Sequence, residues 1–530
     1  MSARTTNGTA AGRSFEHVKP EQNPFEPFLR FRVFLQWLGR FELNPIVMKE
    51  LRQAVRSWAV VGVMLLFLVV LFFTVLGMTI NANVSYDSSR AVGREVMQVI
   101  LTILTFTSLV FIPTYVGVRI ANERQPNNTD LLYVTTLSPA RIIRGKLLSG
   151  SYVAFLFFSV CSPFMFFSTL LRGVDLPTIC VVIITVFVLV VVGIQLAIFL
   201  ACLPVTRGFK ALLAIGALFF AFGGVSGVTF HMTRTFRSGL GSTLMTSDFW
   251  LGVLFTGSIL VMVLGLFHLL SISMISAPTS NRAKPVRVYV TIITAFSALL
   301  MGGYYWALNA GNMVVGWTGI MTALWVMAFF CSVCERDRHS LRIRRTIPQT
   351  FVLRRISFLF YSGAAGGVLW SGLGVAATIF AGHQMLEWIP ELSGFASVSR
   401  LPSEFWPTSI TLVLYAIAYC FYGLSIQRWF FPHKSTMLAG LFAVLLPVIW
   451  CIVPTIILAF LNDFSWEFLK RQQLGNPLNL FNGGDAFLYN HLTCSWIMAV
   501  IGAVINLPWF IRSWRDFKPL DPAPPDPKES

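Results

Sequence analysis

The chain has 530 residues, 55% of them hydrophobic and only 12% charged, with a net charge of +17. A soluble domain carries about 25% charged residues, so this composition excludes an ordinary soluble fold. Apolar runs recur along the whole length, each long enough to cross a hydrocarbon core about 30 Å thick.

Backbone groups in lipid must be bonded within their own segment, so these runs are helices. They lack the alternation of a membrane barrel strand. The expected class is an all-α polytopic membrane protein, with about twelve transmembrane helices in two six-helix units and both termini cytoplasmic.

Residues 1–57 hold no run of signal-peptide type. The first apolar run starts near Trp58, is too long for a signal segment and has no small-residue cleavage site after it, so no cleavage is expected. Within 1–57, Phe28, Phe31, Leu35, Leu38 and Phe41 recur at helical spacing among Arg30, Arg32 and Arg40. That pattern reads as a helix on the membrane surface or as a partly buried one. A second short helix follows at Asn44-Pro45. Asn caps, and Pro fits the first turn. Lys49, Arg52 and Arg56 then share one face, while Ile46, Val47, Leu51 and Val55 supply the apolar side. Such a helix lies at the headgroups and bends into the first span; the plain alternative is a basic flank.

Spans are read near 58–80, 97–118, 147–170, 177–202, 211–230, 248–276, 288–308, 313–334, 357–381, 408–426, 437–461 and 492–511. An even number puts both termini on one side. The segments on that side hold 32 of the 40 Lys and Arg. Positive loops stay in the cytoplasm, so the reading is a cytoplasmic (inner) membrane protein. Because the charge is spread over seven loops facing anionic lipid, no nucleic-acid partner is expected. The chain divides at the linker 277–287, with a six-span unit at 58–276 before it and a second at 288–511 after it. The outer segments 382–407 and 462–491 mix aromatics with charge, as in Phe464-Ser-Trp466-Glu467-Phe468, a pattern that lies flat in the interface. The tail 512–530 is Pro-rich, and its stretch from Pro519 to Pro527 reads as disordered. Pro113 and Pro163 are expected to kink spans two and three.

The most informative stretch is the polar, basic loop between spans two and three. Its markers are Glu123-Arg124, then Asp130-Leu131-Leu132, then Thr135-Thr136-Leu137-Ser138-Pro139, then Gly145-Lys146. A short helix near 129–134 would offer apolar and acidic groups to a partner. Ser138 and Pro139 would stop it and start a basic helix that feeds the third span. In order and spacing this loop resembles the coupling loop of ABC-2 type transporter permeases, the membrane subunits of ATP-driven exporters. Those permeases also begin in a way similar to Asn44-Pro45 followed by Lys49-Glu50-Leu51-Arg52, and Arg56 extends the same face. The resemblance covers roughly residues 44–276. It departs at Gln125-Pro126-Asn127-Asn128, where the family has a charged stretch containing Gly and Thr.

The resemblance implies a permease that moves a substrate outward with a separate cytoplasmic ABC ATPase subunit. That ATPase would carry ATP and Mg, with no cofactor in this chain. It would press on Glu123, Arg124, Asp130, Leu131, Leu132, Leu137, Ser138 and Pro139. The substrate would pass between facing permease units, from a homodimer, a second permease subunit or one chain supplying both. The sequence itself holds no phosphate loop. Gly145-Lys146 lacks both the preceding Gly and the following Ser or Thr.

The second half has its own basic loop, opening at Glu335-Arg336 and reaching Arg354-Arg355. It reads as a degenerate repeat of the first or as part of an added membrane module. Cys331 and Cys334 form a CxxC near His339, but zinc wants four ligands, and no metal is expected. His268 and Gln195 are the clearest polar groups deep in spans, either on a substrate path or in an interhelical hydrogen bond. A twelve-span secondary transporter would place carboxylates or bases on an ion path within the membrane. An intramembrane enzyme would cluster polar groups at one depth. The spans offer neither.

Overall fold

The computed structural model describes residues 45–84, 92–123, 138–171, 174–205, 207–238, 246–277, 279–308, 311–337, 339–393, 405–461, 473–482 and 485–520. No strand occurs among them. A short helix, α1 (Pro45–Val55), precedes α2 (Trp58–Val84). The second span is α3 (Val92–Phe106) joined through one π-helical turn, Thr107–Phe111, to α4 (Ile112–Glu123). Then follow α5 (Pro139–Leu170), α6 (Leu176–Cys202), α7 (Arg207–Ser238) and α8 (Ser247–Ile275). The second half holds α9 (Ala283–Leu308), α10 (Gly311–Val333), the short α11 (Leu341–Arg344) and α12 (Phe351–Phe360). It closes with α13 (Ala364–Ser393), α14 (Phe405–Phe430), α15 (Met437–Leu461) and α16 (Asp485–Asp516). Twelve helices among the described residues are long and apolar enough to cross a membrane. The protein is an all-helical polytopic membrane protein.

Spans this apolar form because nothing else satisfies a backbone in hydrocarbon. Pro113 has no N–H to give the preceding turn, and the ladder widens to a π turn just before it. Pro163 sits inside α5, which runs on without interruption.

One apolar core gathers α2 through α6, with Leu71, Ile100, Leu104, Phe157 and Ile194 fully buried. Phe157 packs between Phe67 and Phe111, at ring-centre distances of 5.5 and 6.0 Å. The second half has several smaller cores, among them the Trp325–Trp370 pair with ring centres 4.7 Å apart. Here α14 and α15 approach closely through small residues. A Cβ on Gly423 would stand 2.5 Å from the Ala439 carbonyl oxygen and 2.7 Å from the Ala443 nitrogen. Small residues let membrane helices gain contact where lipid removes the hydrophobic drive. Cys334 serves the same packing against Gly440. Among the described residues, no group of three or more His, Cys, Asp or Glu is placed to hold a metal ion.

Several boundaries differ from the sequence reading, among them the start of span three, at Pro139, and the end of span nine, which runs to Ser393 and so into the outer segment read from 382. Span nine begins at Ala364, not at 357, because Phe351–Phe360 forms a separate helix that ends in a turn. Gly363 makes that turn with a φ of +154°, a conformation that L side chains rarely adopt. Span twelve starts near 485, not 492. The described part of the outer segment 462–491 is not spread on the surface. Gln473, Asn476 and Asn479 are buried, and the peptide at Gly475 is held by Tyr415 and Tyr419, whose hydroxyls accept its N–H at 3.2 Å and donate to its carbonyl at 2.5 Å. The stretch Phe464–Phe468, the surface helix read at 28–41 and the tail from 521 lie outside the described residues.

Replacing Gly423 with Leu should drive α14 from α15 and lower stability by about 2 kcal/mol. Gly216→Leu, where nothing lies within 4 Å of the added Cβ, should leave the melting point in detergent unchanged.

Candidate functional site

The starts of odd spans and the ends of even spans meet at one end of the molecule, the near end. There the short helix α1 lies against the beginning of α5. Its inward stripe is Val47, Glu50, Leu51 and Ala54, at the i, i+3, i+4, i+7 spacing of one helical face. The stripe is not the purely apolar one expected. Glu50 turns inward, 6% exposed, while Val55 is 54% exposed. Lys49, Arg52 and Arg56 are exposed, as the wheel predicts, and form no ion pair among the described residues. Asn44 and the side chains of Pro45 and Ile46 lie outside the described residues.

A buried acid at this depth requires partners, and Glu50 has two. Its carboxylate stands 3.0 Å from the Arg119 guanidinium and 3.3 Å from the Lys146 ammonium. Lys146 also meets Glu123 at 2.5 Å, and Arg119 approaches Glu123 at 3.9 Å. Arg119 donates to the Tyr115 hydroxyl at 3.1 Å and to the Gln53 side-chain oxygen. Two carboxylates and two cations make a neutral knot. A small void of about 20 Å³ lies beside it, bordered by Glu50, Arg119 and Lys146 and also by Val116, Ile120 and Val153.

The knot joins three elements: α1 through Glu50 and Gln53, the end of α4 through Arg119 and Glu123, and the second turn of α5 through Lys146. Between Glu123 and Ser138 runs the sequence-predicted coupling loop. Arg124, Asp130, Leu131, Leu132 and Leu137 lie outside the described residues. Beyond them Ser138, exposed and extended at the N-cap, and Pro139 at the first helical position start α5. The Lys146–Glu123 pair therefore closes the base of the loop, and Glu50 ties that base to α1. Sequence reasoning marked Lys146 without giving it a partner and did not single out Arg119. The available signal was a cation at the end of one apolar run, Arg119, and one at the start of the next, Lys146, each needing an anion once packed.

Gln195 and His268 stand together. The Gln195 side-chain oxygen is 3.3 Å from His268 Nδ1, and its amide donates to Ser271 Oγ at 3.1 Å. Gln195 is fully buried. The group links α6 to α8 and leaves Gln195 satisfied on both sides.

The second half carries a different polar knot at the same end. Arg287, 2% exposed at the start of α9, donates to Glu335 at 2.7 Å and to the carbonyls of Leu359, Tyr361 and Gly363 at 2.9, 2.7 and 3.2 Å. Glu335 accepts the Gly363 N–H at 2.7 Å, and Asp337 accepts the Ala364 N–H at 3.2 Å. Two carboxylates thus cap the positive end of α13. Asp337 further accepts from Arg428 at 3.2 Å and from the Trp509 indole at 2.7 Å. This set of contacts breaks α12 from α13. Sequence reasoning noticed Glu335 but missed Arg287, whose signal is a lone cation between Val286 and Val288.

Family models, curated proteins and solved structures contain no match to this chain.

Removing Lys146 leaves Glu50 buried with one cation instead of two. Lys146→Met should cost about 3 kcal/mol, and adding Glu50→Gln should return part of it. Denaturation of the purified protein in detergent measures both, and a Lys146→Met protein as stable as wild type would show that the knot ties nothing.

His339 packs edge-on against Phe517, ring centres 5.4 Å apart. Burial holds its pKa below the usual imidazole value, helped by the charges of Arg344 and Arg287 and opposed by a hydrogen bond with the Ser362 backbone and by Asp337. Below pH about 6.5 the unfolded chain takes up a proton that the folded chain resists, so stability falls as pH falls. The melting point should drop more steeply between pH 7.5 and 5.5 in wild type than in His339→Gln.

Proposed function

We propose that this protein is the permease subunit of an ATP-driven exporter of the ABC-2 type. The observation that carries the reading is the bridge from Lys146 to both Glu50 and Glu123. It gives the loop between spans two and three a stiff base and connects that base to the short helix before span one. A push on residues 123–139 would then move α1, α4 and α5 together. In this reading the near end faces the cytoplasm, because the basic residues gather there. A separate ATPase supplies ATP and Mg and touches the loop through Asp130, Leu131 and Leu132. Lys49, Arg52 and Arg56 rest on lipid phosphates, each contributing about 1 kcal/mol. The substrate leaves between paired permease units.

A secondary transporter is the second reading. Its ion path would need acids or bases deep in the spans. The ion pairs Arg119–Glu50, Lys146–Glu123, Arg287–Glu335 and Arg428–Asp337 all lie at the near end instead.

Affinity purification from the native membrane should bring down an ATPase whose turnover the permease stimulates. Asp130→Lys with Leu131→Ala should leave membrane insertion intact and cut capture at least about tenfold, the effect of losing 1.4 kcal/mol. A double variant that binds and stimulates the ATPase as well as wild type would remove the loop from the coupling role. Labelling of a single cysteine at position 128 from outside intact cells would overturn the orientation.

A further inference from the structure

A basic, aromatic cavity lies at the near end of the second half, away from the knot of α1, α4 and α5. Its volume is about 280 Å³. It is built between α12 and the last turn of α16. Four cations border it: Arg354, Arg355, Arg515 and Lys518. None of them takes part in an ion pair among the described residues. Asp516, the acid nearest in sequence, does not line it.

The floor is rigid. Phe358 is buried and meets Trp514 and Phe517 edge-on, with ring centres 4.8 and 5.4 Å apart. The Arg355 guanidinium lies 3.9 Å above the Phe351 ring and 5.6 Å from that of Trp514. Stacking of this kind presents a planar fork of donors, the geometry that suits a phosphate.

The outer surface of α12 gives the depth. Val352, Leu353 and Ile356 are 50–65% exposed, and the helix turns directly into the span that begins at Ala364. An amphipathic helix with a bare apolar face beside a span lies in the interface, with that face toward the acyl chains. The four cations then stand at headgroup height.

We propose that this cavity binds the phosphate headgroup of an anionic phospholipid from the leaflet at the near end. The aromatic floor receives the glycerol and upper acyl carbons, and Arg355 and Arg515 hold the phosphate. The site is independent of the exporter reading.

The test uses the full chain in detergent micelles, with phosphatidylglycerol or phosphatidylcholine added, and counts retained lipids by native mass spectrometry. Wild type should retain phosphatidylglycerol over phosphatidylcholine. Each cation at the surface changes the affinity about fivefold, so Arg355→Gln with Arg515→Gln should weaken that preference by about 25-fold. Arg342→Gln, on the exposed side of α11, should keep it. A melting point in phosphatidylcholine micelles checks folding. If the double variant melts early, Arg515→Gln with Lys518→Gln at the exposed helix end takes its place, with the same expected loss. Equal retention of the two lipids by wild type, or an undiminished preference in the variants, overturns the proposal. So does displacement of the lipid by millimolar inorganic phosphate, which would make the ligand a soluble phosphate.

Discussion

Hydrocarbon offers no partner to a charge or to a backbone amide, and the position of each ionic group described above follows from that. Glu50, Lys146 and Arg287 are all buried, at 6, 8 and 2% exposed. Lys146 and Arg287 sit in the opening turns of spans three and seven and Glu50 in the short helix before span one, each with an opposite charge in reach. Deeper in the bundles, polar side chains pair with one another or with backbone. Gln195 bonds His268 and Ser271. Asn506 donates to the carbonyls of Phe421 and Gly502 and to Ser425 Oγ, at 2.8–3.2 Å. These bonds hold helices together where lipid competes equally well for every leucine.

The two near-end knots look alike in sequence and differ in wiring. Each contains a Glu that directly follows an even-numbered span and precedes an Arg. Glu123 takes its buried cation from the span that follows, at Lys146. Glu335 takes its cation from span seven, at Arg287, and also accepts the Gly363 N–H at the start of α13. The first arrangement encloses a loop and grips an outlying helix. The second builds a helix terminus and separates an interfacial helix from a span. A loop gripped at its base transmits displacement; a capped terminus resists it. That difference is why the coupling role is proposed for the first knot and a lipid role for the surface beside the second.

The spans were legible in the sequence because the criterion is length and apolarity alone, with no need to know a partner. Trp58 and Leu461 bound helices where the hydropathy pattern put them. The face of α1 with Lys49, Arg52 and Arg56 was equally legible, since a wheel needs only spacing. Local order ended there. The run from Phe351 to Phe360 is apolar enough to read as the start of span nine. What separates it is Glu335 and Asp337 on the N–H groups of Gly363 and Ala364, together with Asn281 accepting from Ser362 at 3.0 and 2.9 Å.

The same limit applies at the candidate site. From the sequence, Glu50 is one more charge on an amphipathic helix. The tertiary structure turns it inward, because Lys146, 96 residues later, and Arg119 converge on the same point. Composition and run length determine which segments enter a membrane, since the lipid is the same solvent for all of them. Which charge is buried, and against what, depends on groups far apart in the chain arriving within 3–4 Å, and only packing decides that.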